Sequence, residues 1–304
     1  MTSHRLDPAP GTTRDVFSHD HPPVLSIDPG DTVTVGSLDA RGYLARPAAP
    51  GQEQARLIEQ ARGHCLTGPI EVRGAEPGDM LALRLVSLRP GAWGWTEAGG
   101  RDTPVARRLG VAAGPPSMLL WDLDPDAGQG RTGGVTRTLR PFLGVLGVAL
   151  AEPGEHSTTP PRAGSGGNID CRELVAGATL FLPVRVPGAL LYLGDGHAAQ
   201  GDGEVGGSAI ECGMTTEVAV GLAAGRPIAG IHAEAPAGRI TFGFDADLNV
   251  AMGDALDAMV SWMQVLFGLE RAAALALAST CVDLRITQVV NQTWGVHAVL
   301  PGEL

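Results

Sequence analysis

With 304 residues, 22 Lys plus Arg against 33 Asp plus Glu and a formal charge of −11, the chain is long enough to bury a substantial core and repels nucleic-acid backbones and anionic membrane surfaces. A small neutral substrate or a metal cation suits that field better. Gly at 43 and Pro at 23, with few Tyr and Phe, favour short elements joined by tight turns, while Cys65, Cys171, Cys212 and Cys281, widely spaced and without a CxxC pair, signal neither a disulfide framework nor a thiolate zinc site.

The opening MTSHRLDPAPGTTRDVFSHDH lacks a basic segment followed by an apolar core, and no later run approaches the roughly 18 apolar residues of a membrane span. A cytoplasmic protein is therefore expected. Pro23 to Val35, PVLSIDPGDTVTV, alternates around an Asp-Pro-Gly-Asp turn and predicts two short strands joined by a hairpin or corner. Ile70 to Leu88 repeats the device around Gly-Ala-Glu-Pro-Gly-Asp, with strict alternation through Met80, Ala82, Arg84 and Val86. Between them, Gln52 to Gly63 holds neither Pro nor Gly before its last residue and predicts a short polar helix. Ala92 to Thr138, rich in Gly, Pro and charge and carrying Trp93, Trp95 and Trp121, reads as long loops with interspersed strands that could cover a site.

Pro141 to Leu150 and Leu180 to Leu193 are dense in Leu and Val, as buried strands of a sandwich are. Ile240 to Phe244 predicts another strand. Met252, Leu256, Met259, Val260, Met263 and Phe267 then recur at helical spacing up to Gly268, and Leu269 to Ser279 gives a second helix, so a helical hairpin packed on the sheet is expected. Strands at Asp283 to Val290 and near Gly295 to Leu300 close the chain. No repeat or composition break divides it, so one domain over 1–304 is expected: mostly β, a β-sandwich core with the helical pair packed on it. The hydrophobic C-terminal helices also suggest a homo-oligomer.

The densest polar segment is Gly194 to Glu211, GDGHAAQGDGEVGGSAIE, where Asp195, His197, Gln200, Asp202, Glu204 and Glu211 lie among glycines beside apolar strands. Upstream, GGNID adds Asn168 and Asp170. If the chain is extended, Asp195 and His197 project to one face, as do Asp202 and Glu204. One imidazole with one or two carboxylates suits Zn²⁺ or a similar divalent ion, and a further carboxylate can act as base. Set against this is the bland reading of an Asp/Gly-rich surface turn. No GxSxG elbow accompanies Ser165 or Ser208, and Cys65, Cys171 and Cys212 near these motifs read more simply as small buried hydrophobes than as nucleophiles.

GGNID at 166 to 170, LPVRVPGALLYLGDGHAAQGDGE at 182 to 204 and AIE at 209 to 211 together resemble the signature of the acetamidase/formamidase family. LTGPIEVRGAEPGD at 66 to 79, RPFLGVLGVA at 140 to 149, ITFGFDADL at 240 to 248 and DLRITQVV at 283 to 290 extend the resemblance over most of the chain. The resemblance implies a bound metal and hydrolysis of short aliphatic amides to carboxylate and ammonia. It carries over Asn168, Asp170, Asp195, His197, Gln200, Asp202 and Glu204. Their chemistry then assigns Asp170, Asp195 and His197 to the metal, Glu204 to general base with Asp202 and His197 as catalytic partners, and Asn168 or Gln200 to orienting the amide. His64, just before the LTGP run, is a further candidate for substrate contact. Two rivals remain open: a non-catalytic β-sandwich holding a structural Ca²⁺ in the acidic loop, which His197 fits poorly, and a hydrolase of a larger or cyclic amide.

Overall fold

The computed structural model describes residues 1–225 and 227–302. Strands dominate, with three helices among the described residues: Pro104–Leu109, Leu248–Phe267 and Arg271–Cys281. One layer is built on the long strand Met80–Ala98, which pairs antiparallel with Glu211–Leu222 and Thr179–Pro183, and on Thr32–Ser37 beyond Glu211–Leu222. The other layer places Phe142–Val148 and Leu66–Val72 on either side of Leu191–His197. The inner faces meet in one apolar core that holds Val33, Leu83 and Val218 from the first layer and Leu146, Ile70 and Leu193 from the second. This is the expected sandwich, and the alternation along Leu81 to Val86, with Leu81, Leu83 and Leu85 buried between more accessible neighbours, is the sequence pattern that makes it.

The two Pro-Gly turns form as read, with Asp31 N–H donating to the Asp28 carbonyl and Asp79 N–H to that of Glu76, both at 3.0 Å. Gly30 and Gly78 supply the positive φ the turns need. Neither turn closes a hairpin. Leu25–Ile27 runs parallel to Leu66–Val72, while Thr32–Ser37 joins the opposite layer, so each turn is a corner between layers.

Gln52 to Gly63 is not a helix. The segment is polar on every side and has no apolar stripe to dock. It is instead tied down by Tyr43, whose hydroxyl donates to Glu53 at 3.2 Å and whose ring lies 5.4 Å from the Arg56 guanidinium carbon. Ala92 to Thr138 is more regular than its composition suggests: Met80–Ala98 continues through both tryptophans, and Ser117–Asp124, Gln129–Thr132 and Val135–Thr138 add antiparallel strands beside it.

Leu248–Phe267 starts at Asp247, whose side chain accepts the Asn249 N–H, and stops at Gly268 in the left-handed conformation. Its buried face is Ala251, Ala255, Met259, Val260, Trp262 and Met263, whereas Met252 and Phe267 of the expected stripe are exposed. The helix is rotated because its backbone approaches Gly238–Asp245 closely, which only small residues allow. A Cβ on Gly243 would lie 1.9 Å from the Ala251 carbonyl oxygen. Gly243→Ala is therefore expected to push the helix off the sheet and lower stability by about 1–3 kcal/mol, read as a reduced Tm. Among the described residues no single helix is long and apolar enough to cross a membrane.

Candidate active site

The acidic cluster sits where the two layers are stitched together. Gly196 and His197 at the end of one strand pair with Cys212 and Glu211 at the start of another. Phe142–Val148 lies between Gly166–Asn168 and Leu191–His197, and the Gly144 carbonyl accepts the N–H groups of Ile169 and Asp170 at 2.9 and 3.2 Å. The chain thus turns out of its strand at Asp170 and drops that carboxylate beside Asp195 and His197. Asp170, Asp195 and Glu204 all have positive φ, of 54°, 58° and 44°, a strained conformation for residues with a Cβ that is held only where the surroundings over-determine it.

Ligand atoms of Asp170, Asp195 and His197 lie within 4.8 Å of one another, as do those of His197, Glu204 and Glu211. His197 Nε2 is 3.5 Å from Asp195 Oδ2 and 3.3 Å from Glu211 Oε2. Its other nitrogen, Nδ1, lies 2.9 Å from Gln200 Oε1, and Gln200 Nε2 donates to the Asp170 carbonyl at 2.8 Å. That second bond fixes which end of the Gln200 amide is the acceptor. Nδ1 must then carry a proton, which leaves Nε2 as the nitrogen that faces the carboxylates and could serve a metal. Asp170 Oδ1, Asp195 Oδ1, His197 Nε2 and Glu211 Oε2 are all buried without a hydrogen-bond partner.

Such an arrangement is costly for protein alone. Burial first, and the neighbouring negative charges of Asp195 and Glu211 after it, push Asp170 up to about 7 against the pull of His197. Glu204 is raised well above the carboxylate range, by burial and then by Asp170. Glu211 is raised by burial. Burial acts the same way on Asp195, but His64 and His197 outweigh it and hold that carboxyl low. Burial would lower His197, yet Glu211 and Asp195 raise it well above its ordinary value. The cluster is short of positive charge, and a divalent cation among these donors would supply it.

Gly144 provides the room. A Cβ there would stand 2.5 Å from Asp195 Oδ2, 2.7 Å from Asp170 Oδ1 and 2.8 Å from His197 Cε1. A polar cavity of about 210 Å³ opens onto the cluster, walled by His64, Asn168, Asn291, Glu204 and Arg41 among others. Asn168 Oδ1 is buried and unpartnered. His64 hangs on Thr158, with its Nε2 3.9 Å from Asp195 Oδ2.

Asp170, Asp195, His197 and Glu204 are thus brought together, with Asn168 and His64 on the cavity wall. Gln200 lies behind His197, and both ends of its amide are engaged, so it holds the imidazole and is not free to grip a small molecule. Asp202 is elsewhere. Gly201 to Gly207 is a chain of turns, Glu204 N–H donating to the Gly201 carbonyl and Gly207 N–H to that of Glu204, so Asp202 and Glu204 do not share a face. Asp202 is solvent-accessible and 3.8 Å from Arg172.

Two residues of the site carry no role in the sequence reading. Glu211 starts the strand opposite His197; the sequence marks it by the polar segment it closes and by the AIE motif, but gives it no role. Asn291 donates to Asp170 Oδ2 at 2.7 Å from 121 residues away, brought there by Gln288, which accepts from the N–H groups of Val290 and Asn291. No local pattern marks it. Burial holds the Cys65 and Cys171 thiols up at about 12 and raises Cys212 as well, which disfavours thiolate chemistry.

The sequence model of the family described as the Acetamidase/Formamidase family matches residues 5–155 and 147–303. A Schizosaccharomyces pombe protein provisionally named a formamidase is 30% identical over 238 residues, 61% of this chain and 58% of that protein. The acetamidase of Mycolicibacterium smegmatis is 29% identical over 235 residues, 56% of each chain. The chain thus spans little more than half the length of these curated relatives. The crystal structure of an acetamidase from Bacillus halodurans superposes with a TM-score of 0.86 at 26% identity, over 98% of this chain and 97% of that one.

Proposed function

Because the chain belongs to the acetamidase/formamidase family, we propose that it hydrolyses a short aliphatic amide, of the formamide or acetamide type, to carboxylate and ammonia with the help of a divalent metal. The observation that carries this reading is the set of unpartnered donors, Asp170 Oδ1, Asp195 Oδ1, His197 Nε2 and Glu211 Oε2, converging below a small polar cavity. Asp170, Asp195, His197 and Glu211 would hold the ion, and an imidazole nitrogen held in the right tautomer by Gln200 favours Zn²⁺ over Ca²⁺. When bound, the metal supplies a Lewis acid for the amide carbonyl.

The rest of the chemistry belongs to the chain. Asn168 Oδ1, buried and unpartnered on the cavity wall, would accept the amide N–H and turn the carbonyl toward the cluster. Glu204 faces the same cavity; burial and Asp170 favour its protonated form, a bias the charge of a bound cation would offset, and as the carboxylate it takes a proton from the attacking water as its oxygen adds to the carbonyl carbon. When the C–N bond breaks, Glu204 returns that proton to the departing nitrogen, which leaves as ammonia. His64 closes the side of the cavity nearest Asp195.

Ammonia release from formamide, acetamide and propionamide by purified protein tests the reading. Release is expected to vanish on chelation and to return with Zn²⁺ and not with Ca²⁺. Zinc-loaded protein that acts on none of the three would overturn it, and stoichiometric Ca²⁺ without turnover would favour the structural-calcium alternative.

A further inference from the structure

On the far side of Gln200 from the acidic cluster lies a second polar cavity of about 290 Å³, walled by Thr136, Arg137, Thr138, Arg140, Arg172 and Gln200. Beneath it Glu173 is 2% exposed. It pairs with Arg140 and, at 2.9 Å, with Arg285, while Arg172 Nε stands 3.9 Å away. Arg285 also faces Asp283 at 3.5 Å, and Arg172 faces Asp202 at 3.8 Å. Arg137, Arg140, Arg172 and Arg285 therefore stand against Glu173, Asp202 and Asp283. The local balance is positive in a chain whose formal charge is −11. One guanidinium is uncommitted: that of Arg137 has neither an ion pair nor a hydrogen bond among the described residues, while Arg172 Nε has only the two long ion pairs and no hydrogen bond.

We propose that this cavity binds a small oxyanion, a phosphate or a carboxylate. Guanidinium groups present planar forks of N–H donors matched to such oxygens, and Thr136 and Thr138 line the same cavity. At ~30 Å³ per water the space holds a phosphate or a short dicarboxylate with part of its hydration. A nucleic-acid backbone does not fit a pocket of this size on an acidic protein. The site is separate from the metal cluster and does not rest on the amidase reading.

Isothermal titration of chelator-treated protein with inorganic phosphate and with succinate, at fixed ionic strength in chloride, tests it. Saturable binding of either anion is expected, and the one preferred identifies the source. Arg172→Ala and Arg137→Ala should each weaken binding by about tenfold, the loss of one charge-assisted hydrogen bond. Arg137 lies on an exposed strand, so its variant keeps the fold. Absence of saturable binding for both anions, or unchanged affinity in both variants, would overturn the proposal.

Discussion

Glu204→Gln is expected to lower kcat for ammonia release by about 10²- to 10⁴-fold, the usual worth of a positioned general base, with zinc content and Tm unchanged. Glutamine keeps the shape and the hydrogen-bonding reach of the side chain but cannot accept a proton. Glu204 is fixed by its left-handed backbone and by the turn bonds at Gly201 and Gly207. Asp202→Asn is the control: that side chain faces Arg172 and solvent, and its variant should retain most of the activity. Near-full turnover in Glu204→Gln would sink the assignment. Loss of zinc along with activity would instead make Glu204 a ligand, which its proximity to His197 and Glu211 permits.

Much of this arrangement is legible in the amino-acid sequence, because strand alternation and polar density are local signals. Period-two alternation from Met80 onward locates a strand with one face in the core. The Asp-x-His spacing puts two donors on one side of an extended chain, where Asp195 and His197 indeed meet. The failures have equally specific causes. Asp202 and Glu204 share that spacing but lie in turns, and a two-residue spacing means a shared face only when the backbone is extended. The polar run from Gln52 has helical composition without an apolar stripe to dock, and composition alone does not make a helix. Met252 and Phe267 keep helical period, but the sheet selects Ala251 and Ala255 because Gly243 lets the two backbones touch. Asn291 reaches Asp170 only through long-range pairing of the closing strands. Glu211 gains its meaning from the partner across the ladder, His197, which no reading along the chain reveals.

Gly144→Ala is expected to weaken zinc binding by at least about 10- to 100-fold, the range typical when support around a metal ligand is lost, and to abolish ammonia release at limiting metal. The added methyl group would occupy the space in which the donors converge, at 2.5 to 2.8 Å from atoms of Asp195, Asp170 and His197. None of the three can give way easily. Asp170 and Asp195 are anchored in strained backbone, and His197 is pinned through Nδ1 by Gln200, itself bonded to the Asp170 carbonyl. The same crowding should cost about 1–3 kcal/mol of metal-free stability. Gly221→Ala, where an added Cβ meets nothing within 4 Å, controls for glycine replacement in a strand. Zinc affinity measured by competition with a chromophoric chelator decides the matter. If Gly144→Ala binds zinc as tightly as the parent, the ion does not sit among Asp170, Asp195 and His197. A selective loss would show that a glycine with no chemistry of its own sets the capacity of the site.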